Sequence, residues 1–345
     1  MKTPAISVCI PLYQTERYLA QCLRSVLLQD FSNFEVVVCS DASNGVDENG
    51  WPAKKIIKSV LKECSKLRKK TGLKPVPLRF VEHSQNRGLF EVRRTLAYEA
   101  HGQYITQCDS DDALEQGALA ALYAAATSKG QAFSDYYDIV HGFSTAGSFD
   151  ENGNFIPANN NVHSTIHYGE VTGREIYRGW LLNKFCSANT WGKLIKRDIY
   201  LAVYDQIPYT ECNLAEDVLI FFFISQFAKS YIGIKEKVYR YRVNVGMTSA
   251  NKITNLQKWK MTCSAASVFS VISTWTTKQQ NEQTVFSPLP DELEALKGLA
   301  CYYVANNLQV LSNNVELSLQ ASAREMLNDY WGQELVDEIE KTMQK

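Results

Sequence analysis

Four short apolar runs, separated by stretches with helical spacing, fill the first third of the chain. This alternation constrains the fold more than any other feature. Residues 6–12 form the first run, with Pro11 near its end, and residues 34–39, 78–81 and 104–108 form the others. Between them, residues 16–29, 52–70 and 91–100 read as helices, and an Ala-rich helix over 114–128 follows. Thr15 stands where a helix N-cap belongs, and Leu19, Cys22, Leu23, Val26 and Leu27 recur at helical spacing behind it. Strand–helix repetition of this kind predicts an α/β fold, a mainly parallel central sheet flanked by helices. Ligands bind such sheets beyond the carboxyl ends of the strands. Ser40-Asp41 and Asp109-Ser110-Asp111-Asp112 both fall at ends of that kind.

From residue 136 the pattern loosens. Residues 147–161 are rich in Gly and Asn and read as a loop or hairpin, and helix and strand signals return over 173–242. Past residue 251 the character changes to three amphipathic helical stretches, 253–277, 291–311 and 315–343. The chain therefore divides into an α/β domain over 1–250 and a C-terminal helical region over 251–345, in keeping with a length of 345 residues. Lys+Arg is 36 against 37 for Asp+Glu, which argues against a strongly basic nucleic-acid binder. No apolar run approaches the ~20 residues of a membrane-spanning helix, and the N-terminus shows no secretory core or cleavage site. A cytoplasmic protein is expected, with peripheral attachment to the inner face of the plasma membrane compatible with that. Nine scattered cysteines, none in a C-x-x-C pair, fit a reducing compartment and exclude a cysteine-rich zinc site.

The acids after residue 108 carry the sharpest chemical signal. Three carboxylates in four residues repel one another, and a divalent cation relieves that repulsion. Mg²⁺ and Mn²⁺ take oxygen ligands, typically one or two carboxylates plus substrate phosphates. The plainer alternative is a helix N-cap, which needs only one Asp. An EF-hand is excluded, because Leu114 and Ala120 stand where its Gly and Glu belong. Asp41 suits either a hydrogen bond from a nucleobase imino N–H or an Asx-turn closing residues 40–43. Asn86-Arg87-Gly88 leads into Arg93-Arg94, where an Arg can neutralise a diphosphate or simply lie on a solvated helix face. Glu216-Asp217 precedes an apolar run and also suits a helix start, and Tyr239-Arg240-Tyr241-Arg242 reads as an alternating edge strand.

In order and spacing these segments resemble the family 2 glycosyltransferases, inverting enzymes with the GT-A nucleotide-sugar-binding fold. Val8-Cys9-Ile10-Pro11-Leu12-Tyr13-Gln14 looks like the family's V-x-I-P-x-Y-N opening, with Gln14 for Asn. Val38-Cys39-Ser40-Asp41-Ala42-Ser43 resembles V-D-D-G-S, with Ser40 for the first Asp and Ala42 for Gly. Asn86-Arg87-Gly88 and Arg93 resemble N-x-G-x-x-x-A-R-N, with Val92 for the Ala and Arg94 for the last Asn. Asp109-Ser110-Asp111-Asp112 resembles D-x-D-D, Trp191-Gly192-Lys193-Leu194 resembles W-x-K-L, and Glu216-Asp217 resembles E-D. Tyr239 to Arg242, with Ser249, resembles Y-x-Y-R…S.

The resemblance implies a transfer of a hexosyl or N-acetylhexosaminyl group from a nucleotide sugar, a UDP-sugar, to a hydroxyl of a glycan or lipid-linked glycan. The setting it implies is bacterial surface polysaccharide synthesis. Residues 1–115 would then be the nucleotide-binding half and 116–250 the acceptor-side half. Pro11, Tyr13, Asp41, Asn86, Gly88, Arg93, Asp109, Ser110 and Asp111 would bind the donor. Asp111, helped by Asp109, would hold Mn²⁺ or Mg²⁺. Trp191 and Lys193 would lie on the acceptor side, and Asp217 would be the general base, with Glu216 beside it.

Two rivals stand beside this reading. A phosphohydrolase using the first Asp of a D-x-D wants Thr or Val two residues beyond the second, where this chain has Ala113. A catalytically inactive scaffold of the same fold is opposed by the retained acids. Lysines and Arg68 make residues 54–70 strongly basic, which suits a solvated face or an anionic membrane. His141, His163 and His167 are further candidates for a metal shell or for ordinary polar roles, and the C-terminal helices offer a surface for a homo-oligomer.

Overall fold

The computed structural model describes residues 3–151, 153–162, 164–243, 245 and 252–344, with the backbone alone described at 159–162. The order in the first part is β1 (Ile6–Leu12), α1 (Glu16–Leu27), β2 (Phe34–Ser40), α2 (Ala53–Lys70), β3 (Leu78–Glu82), α3 (Leu89–Glu99), β4 (Tyr104–Gln107), β5 (Ala113–Leu114) and α4 (Ala118–Ala126). There follow β6 (Ile139–Phe149), β7 (Phe155–Val162), β8 (Gly169–Thr172), α5 (Glu175–Leu181), β9 (Lys193–Lys196), α6 (Arg197–Gln206), α7 (Glu216–Phe227) and β10 (Ser230–Arg242). The last part is α8 (Leu256–Cys263), α9 (Ala265–Glu282), α10 (Pro290–Asn314), α11 (Gln320–Trp331) and α12 (Gln333–Met343).

These strands form one mixed sheet in the order β3-β2-β1-β4-β9-β6-β10-β5, with β7 on β6 and β8 on β10. Every residue of β1 and β2 is buried, which is why both read as unbroken apolar runs rather than alternating ones. β1 runs parallel to β2, to Leu12↔Ser40, and parallel to β4, to Cys9↔Gln107. That shared direction puts Tyr13, Asp41 and Asp109 on one edge of the sheet. Successive residues point to opposite faces. Val8, Ile10, Val36 and Val38 face the layer that holds α1, α2 and α4. Cys9, Val37, Cys39 and Ile105 face a core shared with α3, α6 and α7.

Two details differ from the sequence reading. The helix expected from residue 114 begins at Ala118, because Gly117 takes a left-handed φ of 80° and Ala113-Leu114 pair with β10 instead. Tyr239 is consequently not on an edge, since it faces Ser144 of β6 on one side and Leu114 of β5 on the other. The Gly/Asn-rich stretch is the β6–β7 hairpin. Among the described residues no helix is long and apolar enough to cross a membrane. The lysines of α2 lie mostly on its exposed face, while Arg68 is buried and donates to the Leu27 and Phe31 carbonyls.

The C-terminal helices join the second core rather than standing apart. Trp275 of α9 meets Phe222 and Phe223 of α7 edge to face, with centroids 5.5 and 5.1 Å apart. Arg174, at the N-cap of α5, and Arg178 within it converge on the buried Glu292 of α10, at 2.5 and 3.0 Å. A smaller core of Trp259, Val304, Leu308, Leu327 and Val336 holds the helices to one another.

Candidate active site

A cavity of about 630 Å³ opens at the carboxyl edge of β1, β2 and β4. Pro11, Tyr13, Asp41, Asn86, Gly88 and Arg93 line it, as do Asp109, Ser110, Asp111, Trp191, Glu216 and Asp217. Among the expected site residues, Lys193 is the one that does not. It is fully buried, donates to the Ser187 and Asn189 carbonyls, and so shapes the turn that presents Trp191. Burial lowers its pKa to about 8.

Asp41 does not close its own turn. The Ser40 hydroxyl does that, accepting the Ser43 N–H at 3.3 Å. The Asp41 carboxylate reaches across to the next turn and accepts the Arg87 and Gly88 N–H groups, each at 2.9 Å. His83, which no sequence motif marked, places Nδ1 2.7 Å from the same carboxylate and Nε2 2.9 Å from the Thr95 hydroxyl. Gly88 adopts φ 86°, and a Cβ there would press on Asn213 at 3.2 Å. The family-like glycine is thus required by both its backbone and its neighbour.

The acid cluster after β4 splits into two roles. Asp112 is 2% exposed and points inward, accepting the Tyr239 hydroxyl and the Arg242 N–H, each at 2.7 Å. The same Tyr239 oxygen accepts the Asp109 N–H at 3.0 Å, so β10 fixes the backbone of the cluster. Asp109 and Asp111 face the cavity. Burial, then the Asp109 charge, raises the Asp111 pKa to about 6. The Thr15 hydroxyl, placed to cap α1, lies instead 2.6 Å from the Ser110 hydroxyl. Trp191 stacks on Tyr239 and Tyr241, with centroids 4.9 and 5.5 Å apart.

Arg93 lies under this floor with its side chain 3% exposed. Its Nη2 donates to Asp109 Oδ1 at 3.1 Å and lies 3.7 Å from Glu216 Oε1. Burial alone would pull its pKa down, but the Asp109 and Glu216 charges more than reverse this, so it stays charged. Burial, then the Asp217 charge, raises the Glu216 pKa to about 7. Asp217 is raised by burial and partly restored by the Val218 N–H, Arg93 and Lys193. Ala215, just before them, is held at a left-handed φ of 66°. Such backbone strain is a recurring mark of functional sites.

Arg94 does not touch the cavity. It donates to the carbonyls of Tyr204 at 2.6 Å, Ile207 at 2.9 Å and Pro208 at 3.0 Å, clamping the segment that leads to Glu216. His141 is buried against the Tyr231 hydroxyl at 3.1 Å, and neither it nor His167 lines the cavity. His163 and Ser249 fall outside the described residues.

Residues 7–172 match the family model described as Glycosyl transferase family 2. Over that stretch the chain is similar to the family 2 glycosyltransferases. Glycosyltransferase GlyA of Streptococcus pneumoniae is 25% identical over 249 residues, covering 71% of this chain and 31% of that protein. Putative glycosyltransferase EpsH of Bacillus subtilis is 25% identical over 246 residues, 71% of this chain and 62% of that protein. The chain thus spans less than two thirds of the length of either relative. Among solved structures, residues 1–349 of Staphylococcus aureus TarS in complex with UDP-GlcNAc align at a TM-score of 0.50 and 19% identity, over 98% of this chain and 91% of that one. The architecture is the GT-A fold, an α/β mixed sheet flanked by helices with a helical region at its C-terminus.

Proposed function

We propose that the protein is an inverting, metal-dependent glycosyltransferase that moves a sugar from a UDP-sugar to a glycan hydroxyl in bacterial surface polysaccharide synthesis. The observation that carries this is the meeting of Asp41, the Asp109–Asp111 pair and the Glu216–Asp217 pair around one cavity. The similarity of residues 7–172 to family 2 glycosyltransferases favours transfer over phosphate-ester hydrolysis. TarS, which shares the fold, has been captured with UDP-GlcNAc and with UDP. More distant relatives include a chondroitin synthase and a putative colanic acid biosynthesis glycosyl transferase, both from Escherichia coli.

Asp109 and Asp111 fit a hard divalent cation. They are two oxygen donors whose mutual repulsion helps raise Asp111, and among the described residues no set of three His, Cys, Asp or Glu side chains could hold a metal. Two carboxylates completed by substrate phosphates suit Mg²⁺ or Mn²⁺. Such an ion, when bound, neutralises charge on the departing diphosphate.

The protein's own groups supply the rest. Asp41 has one carboxylate position left for a base N–H beyond its three contacts. Arg93 braces Asp109 and Glu216 while leaving Asp217 on the cavity wall. The Asp217 carboxylate takes the acceptor's O–H proton as that oxygen bonds to the anomeric carbon. The carbon–oxygen bond to the diphosphate breaks, its electron pair leaves with the nucleotide, and the anomeric configuration inverts.

A thermal-shift panel of UDP, GDP and CDP with and without Mn²⁺ tests the donor and the metal. UDP with Mn²⁺ should give the largest shift, since a ligand at ~100 times its Kd adds ~2.7 kcal/mol. Asp111→Asn should remove the Mn²⁺-dependent part. A UDP shift indifferent to both Mn²⁺ and this variant would overturn the metal assignment. NMR of the transfer product reads the anomeric outcome.

A further inference from the structure

The cavity does not end at Asp217. It continues to Gln257 and Met261 of α8, Tyr303 of α10, and Tyr209 and Glu211 of the segment before α7. We propose that these residues form the acceptor subsite and that it takes an uncharged carbohydrate ring; this rests on the transferase reading above. The C-terminal helices are then part of the active site rather than an appendage to it.

The chemistry of this wall differs from that of the donor end. Arg87, in the turn before α3, and Arg93, inside it, are the cations among the described lining residues. The far wall instead presents two phenols, a thioether, a primary amide and a carboxylate. Aromatic and thioether surfaces pack against the C–H face of a sugar, while amide and carboxylate groups accept its hydroxyls. Glu211, Glu216 and Asp217 make this end unfavourable to an anionic acceptor, since Lys260 is already paired with Glu211, and Arg93 with Asp109 and Glu216. Tyr209 is 62% exposed at the rim, with the Arg87 guanidinium 5.9 Å from its ring centroid and no other ring against it among the described residues.

The wall is also built in advance. Lys260 of α8 lies 3.0 Å from Glu211, and the Asn213 N–H donates to the Ser264 hydroxyl at 3.0 Å. The Tyr303 ring rests on Phe269 of α9, with centroids 5.4 Å apart. Its hydroxyl makes no hydrogen bond among the described residues, and it lies within the field of Asp217 and Glu216, which with burial raises its pKa. A phenol so placed can donate to a sugar oxygen beside the hydroxyl that Asp217 deprotonates. A rigid, preformed wall limits the entropy lost on binding.

The test uses the full chain with Mn²⁺ and the nucleotide sugar selected by the panel above. UDP release is followed with water alone and with methyl glycosides of glucose, galactose and N-acetylglucosamine. At least one glycoside should accelerate release in the unaltered protein. Gln257→Ala and Tyr303→Phe should each raise that glycoside's KM about tenfold, the effect of one lost hydrogen bond, with UDP affinity changed by less than about twofold. Gln257 is exposed and Tyr303→Phe keeps the packed ring, so neither variant threatens folding, and melting temperatures verify this. Unchanged KM in both variants, or no acceleration by any glycoside while the donor is still hydrolysed, overturns the subsite. Absence of both nucleotide binding and donor turnover overturns the transferase reading beneath it.

Discussion

Asp217 and Glu216 are adjacent in sequence yet differently engaged. Glu216 is 3.7 Å from Arg93, whereas one Asp217 oxygen takes the Val218 N–H at 2.8 Å and the other is left for the cavity. Asp217→Asn should keep UDP affinity and lose about 10²–10⁴ in transfer rate, as removal of a general base does. Normal transfer, with chemistry shown to be limiting, would move the role to Glu216. The raised pKa values also set the pH dependence. A base must be unprotonated, so transfer falls as pH drops through the apparent pKa of the pair, and Glu216 stands at about 7. The acid limb should therefore lie well above the ordinary Asp value of 3.8, and a pH–rate profile flat down to about 5 would contradict it. Ala42 illustrates a different kind of residue effect. It holds φ 53° where the family motif carries Gly. Ala42→Gly should stabilise the protein by about 1 kcal/mol, because a Cβ disfavours the left-handed region. Urea denaturation midpoints read the change. Gln14, at φ 57°, departs from the family's Asn in the same conformation.

At the level of elements, the ends of β4 and β10 are tied through one phenol. Tyr239 donates to Asp112 and accepts from the Asp109 N–H, so a residue of the last strand positions the backbone of the acid cluster. Tyr239→Phe leaves the Asp109 N–H without a partner and Asp112 with the Arg242 N–H alone. The loss should be about 2–3 kcal/mol of stability, as for a buried hydrogen bond to a charged group. It should also weaken Mn²⁺-dependent UDP binding while leaving the metal-free component unchanged. A Phe variant whose Mn²⁺-dependent affinity is intact would show that the cluster needs no such support. The tie depends on β10 being internal to the sheet, which the alternating pattern of residues 239–242 did not reveal.

Over the whole molecule, the site depends on a contact between regions far apart in sequence. Glu292 is fully buried and receives Arg174 and Arg178, with Asp291 holding Arg178 at 2.6 Å. Glu292→Gln leaves two guanidinium groups short of a counter-charge. With those arginines partly exposed, the loss should be about 2 kcal/mol rather than that of a fully buried pair. Because α10 also carries Tyr303, the same variant should lower transfer more than it lowers UDP binding. Chemical denaturation and paired kinetics read both, and unaltered stability would show the network to be a surface feature.

The strand–helix alternation and the acids at strand ends were legible because local pattern governs them. A run buried on both faces must be apolar throughout, and parallel strands must deliver their carboxyl ends to one edge. Asp41, Asp109, Asp111, Glu216 and Asp217 are therefore legible in the sequence. What tertiary structure alone decided are the partners across the fold. His83 beside Asp41, the phenol of Tyr239 under Asp109, Arg94 clamping residues 207–208 and Lys193 turned away from the cavity all depend on pairings between distant segments, which carry no periodic signature. The C-terminal helices read only as amphipathic. Their apolar faces announce burial, but which core receives them, and that Gln257, Met261 and Tyr303 then line the same cavity as Asp217, follows from packing of side chains brought together by the whole chain.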